Sequence, residues 1–139
     1  MTTFEYPVRV RYHEVDAQGV VFNAWYLAWF DEAMTEFLEF RGLTYRAMLD
    51  AGYDVQLVHT EVDWSAGVGW GEDVAVAVST ARLGTTSFEL DFQVRQENGT
   101  VTCSARTTYV VIAVDGSGKQ EIPPLIRNTL GAPQPLRAN

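Results

Sequence analysis

One long, mostly apolar helix, predicted over residues 23–40, restricts the fold more than any other feature of the sequence. Its acidic residues lie on one narrow stripe, and its first two turns carry almost no charge. A helix with so little polar surface has to be enclosed by other elements. At 1.5 Å per residue it would be roughly 27 Å long. We expect Asn23 to cap its start and Gly42 to end it.

Most of the remaining chain alternates between apolar and polar residues, which predicts β-strands. The first strand starts near Phe4, with Tyr6, Val8, Val10 and Tyr12 on one face. A short second helix is predicted at 44–50. Four further strands are predicted at 53–64, 74–82, 88–95 and 101–114. Asn98-Gly99 is a strong hairpin signal between the last two.

This order of elements predicts an α+β fold. Consecutive strands joined by turns form an antiparallel sheet, and its apolar face must be covered. Only the long helix is large enough to do so, which indicates a curved sheet wrapped around it. We expect a single domain over 1–139, with a core at about 4–123 and a C-terminal extension at 124–139. The last few residues of this extension, which ends in PQPLRAN, are expected to be loose. In the strand at 88–95 we expect one wet face, which includes Asp91.

Composition excludes several classes of protein. The 139 residues fit one domain, and 47% hydrophobic residues are enough for a core. A formal net charge of −8, with nine arginines and one lysine, argues against nucleic acid as a partner. Cys103 is the only cysteine, which excludes an internal disulfide and a cysteine metal cluster. We find no apolar run of the ~20 residues that a membrane span needs and no secretory signal, so we expect a cytoplasmic protein.

The most specific motif is YHEVDAQGVVFNAWYLAWFDEA at residues 12–33, in which Asp16 stands three residues before Gly19. The longer stretch VRVRYHEVDAQGVVFNAWYLAWFDEAMTEFL resembles the N-terminal signature of the hotdog-fold acyl-CoA thioesterases. The resemblance is to the branch that contains 4-hydroxybenzoyl-CoA thioesterase and the bacterial acyl-CoA thioesterases associated with the Tol-Pal system. Weaker matches follow at 61–64, 82–88 and 122–123.

This resemblance implies a hotdog fold, the sheet-around-helix arrangement that periodicity also predicts. It implies an enzyme that hydrolyses acyl-CoA thioesters to a free acid and CoA. No separate cofactor is implied, because coenzyme A is part of the substrate. It further implies a homodimer or homotetramer with a continuous sheet, in which the sites lie between subunits.

The resemblance also assigns candidate catalytic residues. Asp16 matches the catalytic carboxylate, as base or nucleophile, and its alternative is an ordinary turn aspartate. Asn23 matches the position whose backbone N–H polarises the thioester carbonyl, and its alternative is an ordinary N-cap. Gly19 and Val21 belong to the same motif and are expected at the substrate. Many Tol-Pal-associated members have His at the position of Asn23, which leaves the substrate class open.

Two further groups are candidates for substrate binding. Tyr26 on the long helix is a candidate for lining an acyl pocket, although aromatic residues at helical spacing are more often core. In resembling proteins the segment that contains Arg82, Thr85, Thr86 and Ser87 contacts pantetheine or phosphates. A charge and three hydroxyls suit phosphate recognition. The alternative is an ordinary turn with a surface arginine.

Other chemistry is not supported by the sequence. His13 is expected on a polar strand face, and His59 has no metal-ligand spacing to any other residue, so we predict no metal site. There is no Gly-x-Ser-x-Gly elbow of a serine hydrolase. Two alternatives to an acyl-CoA thioesterase stay open: a thioesterase for acyl groups on a carrier protein, and an acyl-thioester-binding module without turnover. The sequence does not distinguish aryl from aliphatic acyl groups.

Overall fold

The computed structural model describes residues 3–137, and the two residues at each end of the predicted 1–139 domain lie outside this range. Five strands form one antiparallel sheet in the order β1-β3-β4-β5-β2. The strands are β1 (Phe4–Arg9), β2 (Tyr53–Trp64), β3 (Asp73–Leu83), β4 (Ser87–Gln96) and β5 (Val101–Ala113). The helices are α1 (Asn23–Phe40), α2 (Tyr45–Asp50) and α3 (Pro124–Leu130). The predictions of α1 and β2 have the same bounds as the observed elements.

The sheet covers one face of α1. The expectation that other elements enclose the whole helix is wrong for the single chain, because Leu27 and Phe40 stay 47% and 73% exposed. Phe30 of α1 stacks on Phe92 of β4 with ring centroids 4.9 Å apart, and Phe37 meets Phe4 of β1 at 5.7 Å. The buried residues of α1 are Tyr26, Trp29, Phe30, Ala33, Met34, Phe37 and Leu38. Within residues 3–137, no helix is both long and apolar enough to cross a bilayer.

The first strand is shorter than its alternation predicts. β1 ends at Arg9, and a 3₁₀ turn follows at Tyr12–Glu14. The turn places Tyr12 in solvent, where its ring meets the exposed ring of Trp70 at a centroid distance of 5.3 Å. The prediction that Tyr12 shares the inward face of the strand is therefore wrong. The chain leaves the sheet here because it has to turn towards the start of α1.

The C-terminal segment is more ordered than its composition indicates. Pro124 occupies the first turn of α3, where its missing N–H costs no hydrogen bond. Ile126 and Leu130 of this helix belong to the hydrophobic core. Beyond α3, the N–H of Gln134 donates to the Thr80 carbonyl at 2.7 Å. The expectation that the last few residues are loose is wrong for Leu136 and Arg137, whose N–H groups donate to Asp91 of β4, and residues 138–139 lie outside the described range.

Asp91 explains how this tail is held. Its carboxylate is fully buried, and the Arg106 guanidinium donates to both of its oxygens, at 2.7 and 3.0 Å. The backbone N–H groups of Leu136 and Arg137 add bonds of 2.8 and 3.1 Å. Burial alone would raise the pKa of Asp91, but these hydrogen bonds outweigh it and hold that pKa below its usual range. The prediction that Asp91 lies on a wet face is wrong, because the tail covers it.

We predict that Asp91→Asn lowers the free energy of unfolding by about 3 kcal/mol at neutral pH, because it removes the buried negative charge to which Arg106 and two backbone N–H groups donate. The lowered pKa of Asp91 stabilises the fold fully above its unfolded value of 3.8 and less as pH falls through the folded value. The difference in the free energy of unfolding between wild type and variant should therefore narrow below about pH 4. Urea titrations from pH 3 to 8 measure this difference, with Asp50→Asn on the surface as control. A difference that is constant with pH would contradict a lowered pKa at Asp91.

Candidate functional site

A short two-stranded hairpin at residues 14–22 carries Asp16, and we refer to it as the Asp16 hairpin. The N–H of Phe22 donates to the Glu14 carbonyl at 2.9 Å, and the N–H of Asp16 donates to the Val20 carbonyl at 2.9 Å. The second arm runs directly into α1. The position of Asp16 is therefore tied to the start of that helix through the backbone.

The tip of the Asp16 hairpin is a tight turn. The N–H of Gly19 donates to the Asp16 carbonyl at 3.0 Å, and Gly19 has a φ of +79°, which glycine adopts without strain. The Asp16 carboxylate accepts the Gln18 N–H at 2.8 Å through Oδ1. Its Oδ2 has no hydrogen-bond partner among residues 3–137, and the side chain is only half-buried. Asp16 is thus a turn aspartate that still presents one oxygen for chemistry.

The hairpin is also anchored to the loop between β2 and β3. The N–H of Val21 donates to the Val68 carbonyl at 2.8 Å, and both side chains are buried. Gly67 of this loop lies so close to the hairpin that an added Cβ would stand 2.6 Å from Cγ1 of Val20. The sequence prediction placed Val21 at the substrate, but the structure places its side chain in the core. Gly19 lies at the exposed tip.

The start of α1 is open to an anion. Phe22, and not Asn23, is the N-cap, and no side chain accepts a hydrogen bond from the first turn. The prediction of Asn23 as the cap is wrong, because Asn23 is already the first helical residue. Within the described range, the N–H groups of Asn23 and Ala24 have no acceptor. Unpaired N–H groups at the positive end of a helix attract negative charge.

Tyr26 does not line an open surface within one chain. Its side chain is buried, and burial raises its pKa to about 12. The ring of Trp64 packs edge-on against it at 6.0 Å, and Trp64 itself remains 48% exposed at the end of β2. Trp64 is thus an accessible aromatic surface in this region, and the sequence prediction named the buried Tyr26 instead. The place of Trp64 at the end of a strand, beside a turn, was the available signal.

Sequence reasoning also did not single out Glu14, two residues before Asp16. Its carboxylate has no solvent exposure. It accepts hydrogen bonds from the Arg11 N–H at 2.8 Å, from Arg11 Nη2 at 3.2 Å and from the Trp29 indole N–H at 2.9 Å. Burial opposes the charge, but these donors together lower the pKa of Glu14.

The group around Arg82 spans the end of β3, the turn at 84–86 and the start of β4. Arg82 donates to Glu89 at 2.7 Å and to the Ser87 hydroxyl at 3.1 Å. The carbonyls of Thr85 and Thr86 accept backbone N–H groups at 2.8 and 3.0 Å. A phosphate would therefore compete with Glu89 for the guanidinium.

One chain does not bring this group to Asp16. The Asp16 hairpin contacts the loop that precedes β3, whereas Arg82 lies near the other end of that strand. The eleven residues of β3 span about 33 Å. The structure thus unites Asp16, Gly19 and Asn23 at one end of the sheet and places the four residues of the Arg82 group at the opposite end.

The two histidines take no part in this arrangement. His13 is exposed and lies in the 3₁₀ turn, not on a strand face, and its ring packs against Trp25 with centroids 5.3 Å apart. His59 is exposed on β2 and meets Glu61 at 3.4 Å. In the part of the chain that the structure describes, no three His, Cys, Asp or Glu side chains are grouped to hold a metal ion.

Comparisons with known proteins all point to one family. The model of the thioesterase-like superfamily matches residues 10–130. A 1,4-dihydroxy-2-naphthoyl-CoA hydrolase from Nostoc punctiforme is 28% identical over 122 residues, which cover 87% of this chain and 82% of that protein. The acyl-CoA thioesterase YbgC of Haemophilus influenzae is 45% identical over 47 residues, 34% of this chain and 35% of its own length.

A solved structure supports the fold. A 1,4-dihydroxy-2-naphthoyl-CoA thioesterase from Synechocystis superposes with a TM-score of 0.83 at 24% identity, and the match covers 93% of this chain and 96% of that one. The prediction of a hotdog fold, and the resemblance to hotdog thioesterases on which it partly depended, are confirmed.

We predict that Gly67→Ala displaces the Asp16 hairpin, because the new methyl group would collide with Val20. Overpacking of this kind costs about 1–3 kcal/mol. The midpoint of thermal unfolding and the rate of thioester hydrolysis should both fall. The double variant Gly67→Ala/Val20→Ala removes the contacting methyl and should recover part of both losses. If the double variant is no better than Gly67→Ala alone, contact with Val20 is not the cause.

Proposed function

Because the chain belongs to the thioesterase-like superfamily, we propose that it hydrolyses acyl-CoA thioesters to a free carboxylic acid and CoA. One observation carries this proposal: Asp16, with a free carboxylate oxygen, stands on a hairpin that runs directly into the unpaired N–H groups of α1. Thioester hydrolysis needs an attacking group and a donor for the developing oxyanion. Asp16 and the N–H of Asn23 supply these two functions.

Asp16 has two possible roles in the attack. As a general base it would take a proton from water, whose oxygen adds to the thioester carbon, and collapse of the tetrahedral intermediate would release the CoA thiolate. As a nucleophile it would displace the thiolate and form an anhydride, which water then hydrolyses. In both routes negative charge develops on the carbonyl oxygen and is stabilised by the N–H of Asn23. The Asn23 side chain does not titrate, so it is not a proton carrier.

We also propose that two copies pair through the free edge of β2. In a sheet ordered β1-β3-β4-β5-β2, one side of β2 bonds to β5 and the other side is an edge. Exposed apolar residues stand on this strand, with Leu57 and Val58 51% and 53% accessible. Long apolar edges of this kind tend to pair with another chain.

Such pairing would complete the site. β2 runs antiparallel to β3, so Trp64 lies at the Asp16 end of the sheet and Tyr53 at the Arg82 end. If two β2 strands pair antiparallel about a two-fold axis, the Asp16 end of one chain lies beside the Arg82 end of its partner. A substrate as long as acyl-CoA would then meet Asp16 of one chain and the Arg82 group of the other. The half-exposed Trp64 would lie between them.

The proposed dimer predicts that the double variant Leu57→Glu/Val58→Glu is monomeric, because like charges would face each other across the interface between the two β2 strands. Light scattering on a sizing column measures the mass. Turnover should fall with the loss of dimer. The matched control is Val114→Glu, an equally exposed apolar residue outside the strands. A wild type that is monomeric at micromolar concentration, or a double variant that stays dimeric, would contradict this interface.

The test of the proposed reaction is thiol release from a panel of CoA thioesters: benzoyl, 4-hydroxybenzoyl, phenylacetyl, and short and long aliphatic. We predict that Asp16→Asn lowers kcat by 100-fold or more, because it removes the attacking carboxylate. The matched control is Asp115→Asn. Asp115 is also a turn aspartate, although a more exposed one, and its Oδ1 likewise accepts the N–H two residues ahead at 2.8 Å. It should keep full activity.

The outcomes separate the alternatives. Turnover that disappears in Asp16→Asn but not in Asp115→Asn supports the reaction and its carboxylate, and the best substrate identifies the acyl class. Full activity in Asp16→Asn contradicts the mechanism. If wild type does not hydrolyse any member of the panel, the same assay on acyl groups bound to a carrier protein tests that alternative, and acyl-CoA binding without thiol release supports a binding module.

A further inference from the structure

We propose that Glu14 is a positioning residue, which fixes Asp16 relative to the start of α1. This inference rests on the proposed function of Asp16. It assigns a role to the acidic residue of the motif that the reaction itself does not use.

Glu14 joins three parts of the chain around the site. Its carboxylate accepts from Arg11, which ends the segment after β1, and from the indole of Trp29 in the second turn of α1. Its backbone carbonyl accepts the N–H of Phe22, the cap of α1. Asp16 is two residues from Glu14. The buried carboxylate therefore connects the segment that leads into the Asp16 hairpin with α1, the helix that follows the hairpin.

Glu14 is poorly suited to act on the substrate itself. It is fully buried, its oxygens are occupied by N–H donors, and its lowered pKa disfavours proton uptake. An effect of Glu14 on the reaction would have to pass through Asp16 and the N–H groups of α1. Misplacement of a catalytic group by about 1 Å can reduce the rate by about 100-fold.

The chain offers a matched control for a purely structural role. Asp91 is likewise fully buried, and it is likewise held by an arginine and two other N–H donors. It fastens the C-terminal tail to β4, however, and has no contact with the Asp16 hairpin in the described part of the chain. Glu14→Gln and Asp91→Asn make the same chemical change, from a buried carboxylate to an amide. Only the first change is made at the candidate site.

Steady-state kinetics with the best substrate of the panel tests the proposal. We expect Glu14→Gln to lower kcat by 10- to 100-fold, with KM changed less than threefold, when rates are divided by the folded fraction. Asp91→Asn should lose thermal stability but keep kcat within twofold. Trp29→Phe, which removes one donor and keeps a ring, should lower kcat by about threefold to tenfold. It serves as the test if Glu14→Gln does not fold.

Coupling to Asp16 distinguishes positioning from general damage. If Glu14 acts through Asp16, Glu14→Gln should cost much less in an Asp16→Asn background than in wild type. An equal kcat loss in both backgrounds would overturn the proposal. So would a kcat loss in Asp91→Asn as large as that in Glu14→Gln, or unchanged kcat in folded Glu14→Gln.

Hydrogen exchange makes the inference testable without turnover. In Glu14→Gln the amides of Asp16 and Phe22 and the indole of Trp29 should exchange at least tenfold faster than in Asp91→Asn. If wild type does not hydrolyse any substrate of the panel, the proposed function fails, whereas faster exchange still shows that Glu14 holds the hairpin. Unchanged exchange at all three groups overturns the positioning role, even if Asp16 proves to be catalytic.

Discussion

Packing of one face of α1 against the sheet is the constraint on which the rest of the structure depends. Because this face is apolar, the sheet curves around it, with Phe30 and Phe37 buried against β4 and β1. The opposite face, which carries the acidic residues, stays exposed. This packing fixes where the helix begins. Its first turn emerges at one end of the sheet, next to the loop between β2 and β3. The N–H groups of that turn and the hairpin before it are thereby held at a place that solvent reaches.

Two fully buried carboxylates show how the fold uses charge in fixed positions. Glu14 and Asp91 each lose their hydration on burial, and hydrogen bonds from an arginine side chain and two further N–H donors replace it. Such pairs add little stability compared with apolar packing, but they tolerate few alternative geometries. Asp91 holds the C-terminal tail on the outer face of the sheet. Glu14 holds the hairpin on which the candidate nucleophile or base stands.

Predictions from the sequence pattern were correct where the apolar positions of the pattern are also the positions that the fold buries. The bounds of α1 and β2, and the Asn98-Gly99 turn, followed from periodicity and turn chemistry alone. The predictions failed where a segment distant in the sequence changed the environment of a residue. Asp91 occupies a polar position in the alternation of β4, which predicts exposure. No neighbouring residue indicates that the C-terminal tail covers it. Tyr12 continues the pattern of β1, although the strand has already ended at Arg9.

The sequence by itself determined the class of fold and the thioesterase-like motif, because both depend on patterns of residues close together along the chain. The resemblance of that motif to hotdog thioesterases, and not its spacing alone, singled out Asp16 and the start of α1. Only the tertiary structure decided that Glu14 and Trp29 meet, that Trp64 and not Tyr26 offers an accessible aromatic face, and that Arg82 lies at the far end of the sheet from Asp16. The physical reason is that burial and pairing arise between segments distant in the chain, and no local pattern records which segment will cover which.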